Sequence, residues 1–107
     1  SMLKNRKHHE LVLKKLIEFY TNVNMSKNKK KYIKNIIILM CNTHYTIYCK
    51  NKLNNKEEKN EIKLFDNYLS DINSEIYNEL NNKYSYIRWN RRTKFIFSAK
   101  TSCRRSL

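Results

Sequence analysis

The chain has no glycine and no proline among its 107 residues. Without glycine it cannot build a Gly-rich phosphate loop, a dinucleotide fingerprint or a nucleophile elbow, because each needs backbone that approaches a ligand closely or takes positive φ. The enzyme classes built on those loops are excluded. With both punctuating residues missing, the breaks are expected at asparagines, the other residue that tolerates the left-handed conformation: Asn22 and Asn24, Asn51, Asn54 and Asn55, and Asn81 and Asn82.

Long apolar runs are also missing. The longest, Ile36 to Cys41, is six residues, against the roughly 18 of a membrane span, and no apolar leader stands near the N-terminus. Three cysteines, Cys41, Cys49 and Cys103, are an odd number without a secretory signal. The expectation is a soluble, intracellular protein with reduced thiols. Ser1 before Met2 reads as the scar of a removed tag, and a single helical domain is expected over residues 2–100, followed by a disordered basic tail at 101–107.

Acidic residues are scarce, 9 against 23 Lys and Arg, for a net charge of +14. Richness in Lys, Asn, Ile and Tyr is what AT-rich coding yields, so the distribution of charge says more than its total. Residues 1–56 carry 13 Lys and Arg against 2 acids, residues 57–82 carry 2 against 7, and residues 83–107 carry 8 against none. An acidic centre between two basic blocks points first to electrostatic matching of helices, and only the surplus is left for a partner.

That acidic centre has the clearest helical signal. Ile62, Phe65, Leu69, Ile72, Ile76 and Leu80 fall on one stripe, and Asn55 with Glu58 has the spacing of a capping box. The spacing predicts one helix from Glu57 to Leu80, its carboxylates turned mostly to water. Leu3 to Val23 reads as another, with Val12, Leu16, Phe19 and Val23 on one line and Leu13, Ile17 and Tyr20 beside it. His8 and His9 are adjacent and expected at the surface. After a polar connector with Ser26 as a possible N-cap, Tyr32 to Lys50 is apolar nearly all round, the mark of a central helix, in which Cys41 and His44 are expected as packing rather than as metal ligands.

From Lys83 onward aromatics alternate with cations. A fourth helix with Trp89 as core anchor is preferred here; the alternative is a β-hairpin pairing Tyr84–Trp89 with Thr93–Ala99. The fold class expected is therefore all-α, a small antiparallel bundle of three to four helices, or α+β if the hairpin forms.

No nucleophile–base pair, metal-ligand spacing or cofactor loop is present in the sequence, so the function expected is non-enzymatic, with no cofactor, metal or small-molecule substrate. The first expectation is an interaction module binding another protein, or a second copy of itself, through surplus apolar flank at Tyr45, Tyr68, Tyr77 and Tyr84. The alternative is RNA, single-stranded nucleic acid or another polyanion, bound through Lys29, Lys30, Lys31 and Lys34 and through Arg88, Arg91, Arg92, Lys94 and Lys100. Attachment to an anionic membrane surface is a lesser variant.

Overall fold

The computed structural model describes residues 4–49 and 56–93, and among them the fold is all-α. Five helices follow one another: α1 (Arg6–Asn22), α2 (Lys27–Cys49), α3 (Lys56–Ile72), α4 (Ser74–Lys83) and α5 (Ser85–Thr93). The expected count of three to four is thus corrected, and the reason is local.

The stretch Glu57–Leu80 is not one helix. It breaks at Asn73, whose backbone is extended (φ −154°, ψ 90°) and whose side chain accepts the Ile76 N–H at 3.0 Å. Asn73 is an N-cap, and an Asx cap satisfies one of the donors that open a helix. Its amide also donates to the Thr21 hydroxyl at 3.1 Å, fixing the break against the end of α1. Asn81 and Asn82, expected as a boundary, lie inside α4, which ends one residue before an extended Tyr84. No described residue has positive φ, so asparagine here ends and caps helices and does not replace glycine in left-handed turns.

The second helix begins earlier than its apolar pattern, at Lys27. The Lys29 N–H reaches the Ser26 hydroxyl at 3.4 Å and the Lys30 N–H the Ser26 carbonyl at 2.9 Å, so a polar first turn is drawn into the helix. The hairpin alternative fails at its first strand, because Ser85–Thr93 is helical. Its second strand, the Asn55 cap and the tail at 101–107 lie outside the described residues.

Contacts fix the topology. Lys30 sits over the Tyr20 ring beside the α1–α2 link while His9 meets His44 at the far end, so α1 and α2 run antiparallel. Arg6 with Glu61, Glu18 with Tyr68 and Thr21 with Asn73 run α3 alongside α1 in the same direction. The central helix is α2, which buries Ile37, Ile38, Cys41, His44, Tyr45, Ile47 and Tyr48. Against it come Leu13, Ile17 and Tyr20 of α1, Ile62, Phe65 and Leu69 of α3, Ile76 and Leu80 of α4 and Ile87 of α5. The acidic stripe therefore does face the core, apart from the half-buried Ile72 beside the break.

Acidic and basic segments meet as the charge pattern suggests. Arg6 clamps Glu61 through two hydrogen bonds of 2.6 and 3.1 Å, Lys34 pairs with Glu79 at 3.1 Å, and Arg91 with Asp66 at 2.8 Å. A two-pronged Arg–carboxylate contact fixes orientation as well as charge, whereas the exposed Lys7–Glu57 pair at 3.9 Å contributes little.

Candidate interaction surfaces

The residues nominated as surface contacts divide sharply. Tyr45 and Arg91 are not at the surface: Tyr45 is fully buried and Arg91 is 3% exposed. Both belong to a polar core in which the Tyr45 hydroxyl donates to Asp66, the Arg91 Nε donates to the same carboxylate oxygen at 2.8 Å, and Arg91 Nη2 donates to the Tyr45 hydroxyl at 3.2 Å. Arg91 Nη1 continues to the Tyr77 carbonyl at 3.0 Å, with the guanidinium 3.7 Å from the centre of the Tyr77 ring. One guanidinium thus joins α2, α3, α4 and α5.

Asp66 is the exception among carboxylates expected mostly to face water. It lies one residue after Phe65 and just off the stripe, where only an internal cation makes burial tolerable. Burial pushes its carboxyl above the usual range, against the pull of Arg91 and the Tyr45 hydrogen bond. Burial raises the Tyr45 phenol as well.

The other three tyrosines are half-buried in seams between helices. Tyr68 donates to Glu18 at 3.0 Å with the Lys14 ammonium 4.6 Å over its ring, Tyr77 stacks on Arg91, and Tyr84 packs edge-on to Tyr86 at 6.1 Å. Their rings take part in internal packing. Tyr86, not nominated, bridges α5 to α2 through the Thr46 hydroxyl at 3.0 Å and the Asn42 carbonyl at 3.0 Å.

A second polar cluster joins α1 to α2. His44 is fully buried; its Nδ1 lies 3.0 Å from His9 Nδ1, the rings stack at 5.1 Å, and its Nε2 lies 3.2 Å from Glu10. His9 is therefore not the solvated residue expected beside the exposed His8. Burial first, then the neighbouring imidazole, hold His9 below its ordinary pKa, while hydrogen bonds from His44 and Lys14 hold Glu10 low despite its burial. Cys41 is buried, its thiol pushed up to about 12, and serves as packing.

Of the nominated lysines, Lys29, Lys30 and Lys31 are exposed on the first turn of α2, a turn with no acid in it. Lys34 is committed to Glu79. Lys94 and Lys100 lie outside the described residues.

The apolar surface that is open lies elsewhere. Val12 and Phe19 of α1 and Val23 just after it are 45%, 47% and 41% exposed, and Tyr32 and Leu39 of α2 are 68% and 59%. Val12, Leu16, Phe19 and Val23 were read as part of one wide apolar face with two neighbours; Leu16 does pack half-buried against the core, but Val12 and Phe19, each one position and about 100° of helix from an inward residue, lie open. The inward line is Leu13, Ile17 and Tyr20. On α2, Ile36 precedes the buried Ile37 in the same way. Because α3 holds α1 through Arg6, Glu18 and Thr21 and α2 through Tyr45 and Tyr48, these lines lie on the side of the hairpin away from it. No carboxylate joins them: α2 has none, Glu10 is held by His44 and Lys14, and Glu18 by Tyr68.

A smaller feature lies on α5. The inward residues there are Ile87, Asn90 and Arg91, which turns Trp89 outward to 54% exposure and corrects its expected place in the core. Trp89, Arg88, Arg92, Ser85 and Tyr86 line an open hollow of about 490 Å³. Arg88 is steadied by a 2.6 Å hydrogen bond to the Asn81 carbonyl. Among the described residues no three His, Cys, Asp or Glu come together in a way that could hold a metal ion, and no helix is long and apolar enough to cross a membrane. The chain matches no protein-family model, no curated protein and no solved structure.

Proposed function

We propose that this chain is a non-enzymatic interaction module, a small antiparallel helical bundle that holds another protein on the outer face of its α1–α2 hairpin. The observation that carries the reading is the open apolar ladder of Val12, Phe19 and Val23 on the first arm of the hairpin, with Tyr32 and Leu39 open on the second. Single exposed apolar residues are ordinary, but aligned lines on two adjacent helices are the usual anatomy of a helix-receiving interface. The interior supports the reading from the other side. Its buried charged and aromatic side chains make contacts among the helices, so the bundle is a scaffold that leaves the outer hairpin face for a partner.

The test is a titration of the full chain with an uncharged amphipathic helical peptide and, separately, with a labelled single-stranded RNA from low to high salt. Peptide binding that is lost in a Phe19→Ser, Leu39→Ser double variant supports the interface. Peptide binding indifferent to that variant removes it.

One observation favours a second reading. Trp89 stands exposed on α5 and lines one hollow with Arg88 and Arg92, a combination of aromatic ring and cations suited to stacking on a base while neutralising phosphate. RNA affinity that falls steeply with salt and drops in an Arg88→Ala, Arg92→Ala variant would move the function there.

A further inference from the structure

We infer that the occupant of the outer α1–α2 face is an acidic amphipathic helix; this rests on the interface reading above and adds the partner's chemistry. The open Val12, Phe19 and Val23, with Leu16 half-buried between them against the core, are spaced 4, 3 and 4 along the sequence, and the open Tyr32 and Leu39, with the half-buried Ile36 between them, are spaced 4 and 3. That is the spacing of a coiled-coil seam, whose complement is another helix. From Val12 to Val23 the ladder runs 11 residues, or about 16 Å at helical rise, so three turns of partner cover it.

Charge selects the kind of helix. The two described segments of the hairpin, α1 and α2, carry only Glu10 and Glu18 as acids, and both are engaged away from the open face. By helical phase Lys15 and His8 border the ladder on α1, and Lys29 stands near its end on α2, all three exposed. Carboxylates flanking a partner's apolar stripe find cations on this rim and no repelling acid. The chain's own remaining segments do not fit that description. Residues 94–107 contain Lys94, Lys100, Arg104 and Arg105 and no acid, and residues 50–55 contain Lys50 and Lys52 and no acid.

The experiment uses the full chain and three labelled peptides of about 18 residues, long enough to be helical when bound. They share one apolar stripe and differ only in flanking Glu, Gln or Lys. Phosphatidylserine vesicles and light-scattering mass complete the set. The Glu peptide is expected to bind roughly tenfold tighter than the Gln peptide, with the advantage shrinking in salt and the Lys peptide weakest. Lys15→Gln with Lys29→Gln should abolish the Glu advantage and leave the Gln peptide unaffected, while Phe19→Ser with Leu39→Ser should weaken both, at unchanged helical circular dichroism. Equal binding of Glu and Gln peptides overturns the acidic partner but leaves the interface standing. Failure of every peptide overturns both. A dimer, or vesicle binding, that disappears in the Phe19, Leu39 variant overturns the inference in favour of a second copy or an anionic membrane.

Discussion

The two flanks of α2 both carry large apolar and aromatic residues and have opposite fates. On one, Tyr45 and Tyr48 meet α3, Thr46 meets α5 and Lys34 meets α4, so aromatic and charged groups are closed in by hydrogen bonds. On the other, Tyr32 and Leu39 lie open, as do Val12 and Phe19 on the neighbouring α1. The open flank carries the exposed Lys31 and Asn35 among its apolar residues, whereas the covered one buries Ile37, Ile38, Cys41, Tyr45 and Tyr48. The helices packed there also supply partner groups: α3 and α4 bring carboxylates to the covered flank, and α1 and α2, the described helices of the open one, turn none toward it.

The sharpest way to break the contrast is on the covered flank. Arg91→Ala leaves the Asp66 carboxyl buried beside Tyr45 without its cation, and removing one member of a buried pair costs about 3–5 kcal/mol. Against a stability of roughly 5–15 kcal/mol for a domain that is a large fraction. Chemical denaturation should show a large fall in the midpoint of the cooperative transition. Replacing the set together, Arg91→Met with Asp66→Leu and Tyr45→Phe, should recover much of it, because the cost is the orphaned charge and not the missing attraction. If the triple variant is as unstable as the single one, the cluster's value lies in its geometry.

A milder break compares neighbours on α1. Ile17 is fully buried, so Ile17→Ala should destabilise by about 2–4 kcal/mol through lost transfer and a residual cavity. The denaturation midpoint measures it directly. A cost no larger than that of an exposed α1 residue would mean that α1 does not pack as described.

That pair of lines also marks what the sequence could and could not tell. Helical period places Val12, Leu16, Phe19 and Val23 on one line and Leu13, Ile17 and Tyr20 on the next, and both are apolar. Nothing within one helix says which turns inward. Only the neighbours decide, through Arg6 with Glu61 and Thr21 with Asn73. The all-α class and the inward acidic stripe were legible because a single unbroken period marks them. The break at Asn73 was not, since it needs Thr21 from another helix to hold it, although an asparagine three residues before Ile76 is the available signal. Trp89 and Arg91 were misplaced together: α5 is short, and a cation facing inward contradicts the expected order of burial until its partner, Asp66, is known.

A smaller effect should follow pH at the seam between the flanks. The unfolded chain takes up a proton on His9 near the ordinary imidazole value, 6.5, and the folded chain only at lower pH, because burial and His44 oppose it. Stability is therefore complete above that ordinary value and falls as pH drops through it, the direction set by an unfolded state that binds more protons. Glu10, held low, adds a second loss only below its ordinary 4.5. Midpoints of denaturation at neutral and mildly acidic pH should differ in the wild type and converge in His9→Gln. Persistence of the full difference in that variant would assign the dependence to other groups.

The smallest expected effect is the one that bears most on function. Phe19→Ser and Leu39→Ser replace side chains that are 47% and 59% exposed, and substitutions at such open positions usually move stability by no more than about 0.5 kcal/mol. A near-zero change is the expected outcome, measured by thermal and chemical denaturation of each variant at matched concentration. The comparison with Ile17→Ala then becomes informative, because large apolar residues on the same helix pair would differ severalfold in their cost to folding. Residues that contribute to the core lose stability when removed. Those that do not, yet remain large, apolar and aligned over three turns, are free to serve a contact outside the chain. If Phe19→Ser instead costs as much as a core substitution, the outer line is folded against something within the protein, and the open flank of α2 ceases to be available to a partner.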